Sequence, residues 1–102
     1  MTSDLHREIE QKIKHILAGE LHVDPEVLAG SDSATPLLGR GIALDSVETT
    51  ALVLGLEEAF RISIPDSEMT ASVFDTIGTL TDYVAGKIDN GNAVGETAKD
   101  RR

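Results

Sequence analysis

The chain has 102 residues, 40% of them hydrophobic and only 3% aromatic, with no Trp, no Cys and a formal net charge of −9. That length makes one domain with a modest core, filled here by Leu, Ile and Val. The charge argues against a nucleic-acid partner and against anionic membrane surfaces, both of which require basic residues, and the lack of cysteine removes disulfides, thiolate nucleophiles and Cys metal sites.

The acidity is uneven. Residues 1–90 hold 16 Asp/Glu against 6 Lys/Arg, whereas residues 91–102 hold 2 against 3. An acidic body of this kind suits docking to basic patches on protein partners, where charge speeds and orients encounter. The segment Met1 to Glu10 is polar, unlike a secretory signal, and no apolar run approaches the ~20 residues of a membrane span. A cytoplasmic location is the resulting expectation.

The first helix is marked by Leu5, Ile9, Ile13, Ile16 and Leu17 at helical spacing, with charged residues opposite. Ser3 or Asp4 can cap it, and Gly19 stands where helices commonly stop. His6, His15 and His22 share no face at metal-ligand spacing. From Glu20 to Asp45 the periodicity fades into turn residues such as Asp24-Pro25, Gly30, Pro36 and Gly39. Apolar residues persist through it (Leu21, Val23, Leu28, Leu37, Leu44), which predicts a packed loop with one helical turn at residues 24–28. Long loops in small domains are often functional.

That loop ends in Gly41-Ile42-Ala43-Leu44-Asp45-Ser46-Val47-Glu48, the most informative stretch of the chain. It delivers a primary hydroxyl, Ser46, to the start of a helix predicted over 46–60. Capping alone accounts for many Asp-Ser pairs before a helix, and Asp45 with Glu48 has capping-box spacing. The buried stripe of this second helix is Leu52, Val53, Leu56 and Phe60; Val47 and Leu54 lie off it. Gly55 weakens the helix by ~1 kcal/mol relative to Ala but permits a close neighbour. Arg61 to Pro65 reads as an extended connector and residues 66–74 as a short, weaker helix. Asp75 or Thr76 starts a last helix with Ile77, Leu80, Val84 and Ile88 on one face. After Ile88 the sequence Asn90-Gly91-Asn92 breaks the pattern, and residues 91–102 are expected to form a disordered tail beyond a domain at 1–90. The fold class that follows is all-α: a small antiparallel bundle of three main helices and one short helix, with a long ordered loop between the first and second.

Taken together, Leu44-Asp45-Ser46-Val47-Glu48, Leu56-Glu57-Glu58-Ala59-Phe60, Ile64-Pro65-Asp66 and Thr76-Ile77-Gly78-Thr79-Leu80 resemble the acyl carrier protein family. The resemblance spans about residues 4–89. It implies that Ser46 carries 4'-phosphopantetheine, attached through a phosphodiester and supplied from coenzyme A by a separate phosphopantetheinyl transferase. The arm's terminal thiol would hold acyl groups as thioesters, so a chain without cysteine would work through sulfur. The same resemblance implies a monomeric carrier, not an enzyme, that serves ligases, synthases or acyltransferases of fatty acid, lipid or secondary-metabolite biosynthesis. Asp45, Val47, Glu48, Leu54, Glu57 and Glu58 become the partner-binding residues. The acyl chain would lie among Leu52, Val53, Leu56, Ile62, Ile64, Ile77 and Leu80, with Met69, Ala71 and Val73 as a movable wall. Val47 in place of the usual Leu, the uncharged Thr49-Thr50-Ala51 and the basic Arg40 depart from members devoted to bulk fatty-acid synthesis and point to a specialised carrier. A peptidyl or aminoacyl carrier and an unmodified helical interaction module are the alternatives.

Overall fold

A computed structural model describes residues 4–38 and 42–89, and the expectations for Ser3, Arg40 and the tail at 91–102 lie outside them. The expected all-α bundle is observed. Its elements are α1 (Asp4–Gly19), α2 (Pro25–Ala29), α3 (Ser46–Phe60), a single 3-10 turn (Asp66–Glu68) and α4 (Ile77–Asp89). The turn expected at residues 24–28 is thus a short helix of its own, and the helix expected as second is third in order. Asp24 starts α2 by accepting the Glu26 N–H at 2.9 Å ahead of Pro25.

Helix α1 is the spine. Its stripe of Ile9, Ile13, Ile16 and Leu17 is buried, and the helix packs along both α4 and α3. Leu52, Val53 and Leu56 of α3 and Ile77, Leu80 and Val84 of α4 complete a core of aliphatic residues, the consequence of an almost aromatic-free composition. Phe60 is only partly buried. Gly55 provides the close approach its position suggested: a Cβ there would stand 3.0 Å from Ile16 Cγ2.

Residues 33–37 of the long loop are tied to the start of α4, which they cap. Two of the helix's orphan amides are met by loop carbonyls, Ile77 N–H donating to Thr35 at 3.0 Å and Gly78 N–H to Ser33 at 2.8 Å. Thr76 and Thr79 add reciprocal hydroxyl–amide bonds at 3.0 Å. The Leu37 N–H then donates to the Asp75 carbonyl at 3.0 Å, while the Leu37 carbonyl accepts from Leu44 N–H at 2.8 Å. A hydrogen-bonded path therefore runs from the start of α4 through Leu37 to the residues just before Ser46.

Residues 66–74 correct the sequence reading. They form the 3-10 turn and a separate turn at 71–74 in place of a continuous helix. Met69 leaves helical geometry at ψ 71°, and the Thr70 hydroxyl accepts the Val73 N–H at 3.3 Å. Ser67, Thr70 and Ser72 offer the backbone such local alternatives to a helix.

Candidate functional site

The candidate site is built at the start of α3. Ala43, at φ 58°, turns the loop through the left-handed region, and Leu44, nearly buried, pins it to the core. Asp45 then caps the helix. Its carboxylate accepts the Glu48 N–H at 2.7 Å, and the Glu48 carboxylate accepts the Asp45 N–H at 3.1 Å, a complete capping box. Ser46 is therefore the first helical residue and not the cap. Its side chain is exposed, and its hydroxyl takes no part in the capping bonds. The Ser46 and Val47 N–H groups face the same end of the helix with no carbonyl one turn back to receive them, so the positive end of the helix dipole lies beside the hydroxyl.

A cavity of about 330 Å³ opens next to Ser46. On its helix side stand Ser46, Thr49 and Thr50, which occupy one face at spacings of three and four. Leu38 and Leu44 line it from the loop, and Met69, Thr70, Ala71 and Phe74 from the opposite wall. Both helix threonines turn their hydroxyl protons to the backbone, Thr49 to the Asp45 carbonyl at 2.8 Å and Thr50 to the Ser46 carbonyl at 3.0 Å. Their oxygens remain free to accept.

Of the residues expected to enclose a cargo, Met69 and Ala71 line this cavity. Leu52, Val53, Leu56, Ile62, Ile64, Ile77 and Leu80 are instead closed into the core, each at most 5% exposed. Val73 is half-buried and outside the lining. Sequence reasoning passed over Leu38, Leu44, Thr49, Thr50, Thr70 and Phe74. For the two threonines the signal was present, since helical spacing puts them on the face of Ser46.

The expected partner-binding residues divide. Val47 (75% exposed), Leu54 (55% exposed) and the exposed Glu58 fall on one face of α3, with Asp45 and Glu48 at its start. Glu57 turns away from that face, and its carboxylate accepts the Ile64 N–H at 2.8 Å. It staples the connector to α3.

One further cluster lies beyond the cavity wall. Glu68 Oε1 accepts from Lys87 Nζ at 2.8 Å and from the Tyr83 hydroxyl. The Lys87 and Tyr83 hydrogen bonds hold the Glu68 carboxyl below its usual range, while burial, then the bond to Glu68, pushes the Tyr83 phenol up. Among the described residues no three His, Asp or Glu side chains converge as a metal site, and no helix is long and apolar enough to cross a membrane.

Comparison with known proteins adds to this picture. Residues 11–84 match the family described as "Phosphopantetheine attachment site". The chain is also 33% identical, over 81 residues, to an acyl carrier protein of Thermosynechococcus vestitus, an alignment that covers 79% of this chain and 93% of that relative.

Proposed function

The chain belongs to the acyl carrier protein family, and from that premise we propose that Ser46 is its phosphopantetheine attachment point. The observation that carries this reading is the division of labour at the start of α3. Asp45 supplies the cap, which leaves the Ser46 hydroxyl exposed and unspent beside an open cavity. The site suits the group: a phosphodiester at Ser46 would meet the first-turn N–H groups of Ser46 and Val47 and the helix dipole. The cavity, with its acceptor oxygens on Thr49 and Thr50 and its apolar floor of Leu44 and Phe74, suits an arm that combines amides with a methylene chain. When attached, the arm supplies a terminal thiol that holds an acyl group as a thioester.

The chain's own residues position and present. Ser46 hydrogen-bonds to no base among the described residues, so its activation is left to the transferase that draws the arm from coenzyme A. Asp45, Val47, Glu48, Leu54 and Glu58 form an acidic face with apolar points, suited to basic surfaces on that transferase and on the ligases, synthases or acyltransferases that load and unload the carrier. Glu57 serves the fold instead.

The test is intact mass after incubation with coenzyme A and a broad-specificity phosphopantetheinyl transferase. The parent gains one phosphopantetheine, and Ser46→Ala gains none while keeping the parent's circular dichroism. An adduct that persists in Ser46→Ala, or maps to Ser31, Ser33 or Ser67, overturns the assignment.

A further inference from the structure

The wall of the cavity opposite α3 is unlike the rest of the molecule. Residues 69–73 contain no helix; Thr70, Ala71 and Ser72 are exposed, and Met69 and Val73 are half-buried. Most of the hydrogen bonds along this stretch are local, such as Thr70 N–H to the Glu68 carbonyl at 2.9 Å and Phe74 N–H to the Thr70 carbonyl at 3.1 Å. It is secured at its two ends. At one end Phe74 is 2% exposed and the Thr79 hydroxyl donates to the Val73 carbonyl at 2.9 Å. At the other, the residue before Met69 is Glu68, held by Tyr83 and Lys87 of α4.

These anchors differ in kind. Freeing the Phe74 end would carry a whole aromatic ring into water. Freeing the Glu68 end returns a carboxylate, a phenol and an ammonium to a solvent that hydrates all three. The cluster nevertheless holds as a unit when closed. One oxygen, Oε1, serves both donors; the Lys87 side chain is only 12% exposed and so depends on its carboxylate; and its amine lies 5.6 Å from the centre of the Tyr83 ring. Phe74 has the properties of a hinge and Glu68 those of a latch.

We propose that Glu68, Tyr83 and Lys87 form a clasp that holds residues 69–73 as a strap across the cavity beside Ser46, so that an acyl chain passes from the cavity into the core when the clasp yields. The cargo half of this proposal rests on Ser46 being the attachment point. The strap half does not, and is tested on the unmodified chain.

The lack of native cysteine makes a single thiol a clean reporter. Maleimide labelling of Met69→Cys is expected to run about tenfold faster when Lys87→Met is added, as for a segment whose local opening has become easier. Ile13→Cys, in the α1 core, is reached only on wider unfolding and should label far more slowly than Met69→Cys in both backgrounds. Tyr83→Phe, which keeps the ion pair, should accelerate Met69→Cys labelling less than Lys87→Met does. Labelling of Met69→Cys and Ile13→Cys at the same rate would mean that the strap opens only with the whole fold, and no acceleration of Met69→Cys by Lys87→Met would place the strap's restraint elsewhere; each result overturns the clasp. On the chain loaded with an octanoyl arm, the rise in melting temperature on acylation should be larger in Lys87→Met than in the parent. An equal rise, with faster strap labelling, overturns the passage of cargo while the clasp stands. Failure of Ser46 to take any arm overturns the attachment reading and the cargo half with it, again leaving the labelling result intact.

Discussion

Helix α3 lies between two neighbours of opposite character. Toward α1 it presents Leu52, Val53 and Leu56, all but sealed from water, with Gly55 letting Ile16 approach to the limit of contact. Toward the cavity it presents Ser46, Thr49 and Thr50 to a strap with no helix of its own. The first contact is close-packed and fixes the helix. The second is shallow and half-polar, and closes by a turn, a ring and one ionic cluster. On the proposed reading, the first contact holds Ser46 in place for its partners while the second leaves the space beside it open. The contrast teaches that stability and accessibility are assigned to different faces of one helix.

The largest test of that division compares two residues of the same wall. Phe74→Ala removes a fully buried ring and should cost about 3–5 kcal/mol. Met69→Ala, five residues earlier, should cost less than about 1.5 kcal/mol, since a half-buried side chain contributes only part of the ~1.5–3 kcal/mol of full burial. Urea unfolding with unchanged slope measures both. Equal losses would make residues 69–73 part of the core and dissolve the contrast.

A smaller effect sharpens the reading of the site itself. Asp45→Ala removes the side chain that accepts the Glu48 N–H and should destabilise by ~0.5–2 kcal/mol. Ser46→Ala should stay within about 0.5 kcal/mol of the parent, as for a surface position outside any cap. If the two cost the same, the Ser46 hydroxyl shares the capping role and is not free for attachment.

The sequence made the regular part of this fold readable. The helix over 46–60, the capping box of Asp45 and Glu48 and the exposure of Val47 and Leu54 all follow from spacing, because a helix converts residue intervals directly into faces. The failures have two causes, one local and one tertiary. Residues 66–74 contain hydroxyl side chains whose local bonds decide between helix and turn, and periodicity carries no information about which bond wins. Leu38 and Phe74 reach the cavity through tertiary folding of two separate segments, which no interval in the chain encodes. Glu57 reads like Glu58 in sequence, yet its bond to Ile64 depends on how the connector leaves α3. The Glu68–Tyr83–Lys87 cluster likewise joins residues 15 and 19 positions apart.

The smallest expected effect isolates the loop that delivers Ser46. Of three described non-glycine residues with left-handed φ, two flank α3: Ala43 before the site (φ 58°) and Arg61 at its far end (φ 55°), the third being His22 (φ 60°). Such a residue pays about 1–2 kcal/mol in L-amino-acid sterics, and glycine returns roughly 0.5–1 kcal/mol of that as added freedom in the unfolded chain. Ala43→Gly and Arg61→Gly should therefore each stabilise by about 0.5 kcal/mol, a gain of a few degrees in melting temperature for a domain this small. The two should part company in modification rate. Arg61→Gly acts at a helix terminus distant in sequence from the hydroxyl and should leave transfer to Ser46 unchanged. Ala43→Gly frees the turn three residues before it, and should slow transfer if the strained turn is what holds the Asp45-Ser46 pair in its presenting geometry. Equal transfer rates in both variants would assign that geometry to the capping box alone, and the strain at Ala43 would then be a cost of loop closure with no part in presentation.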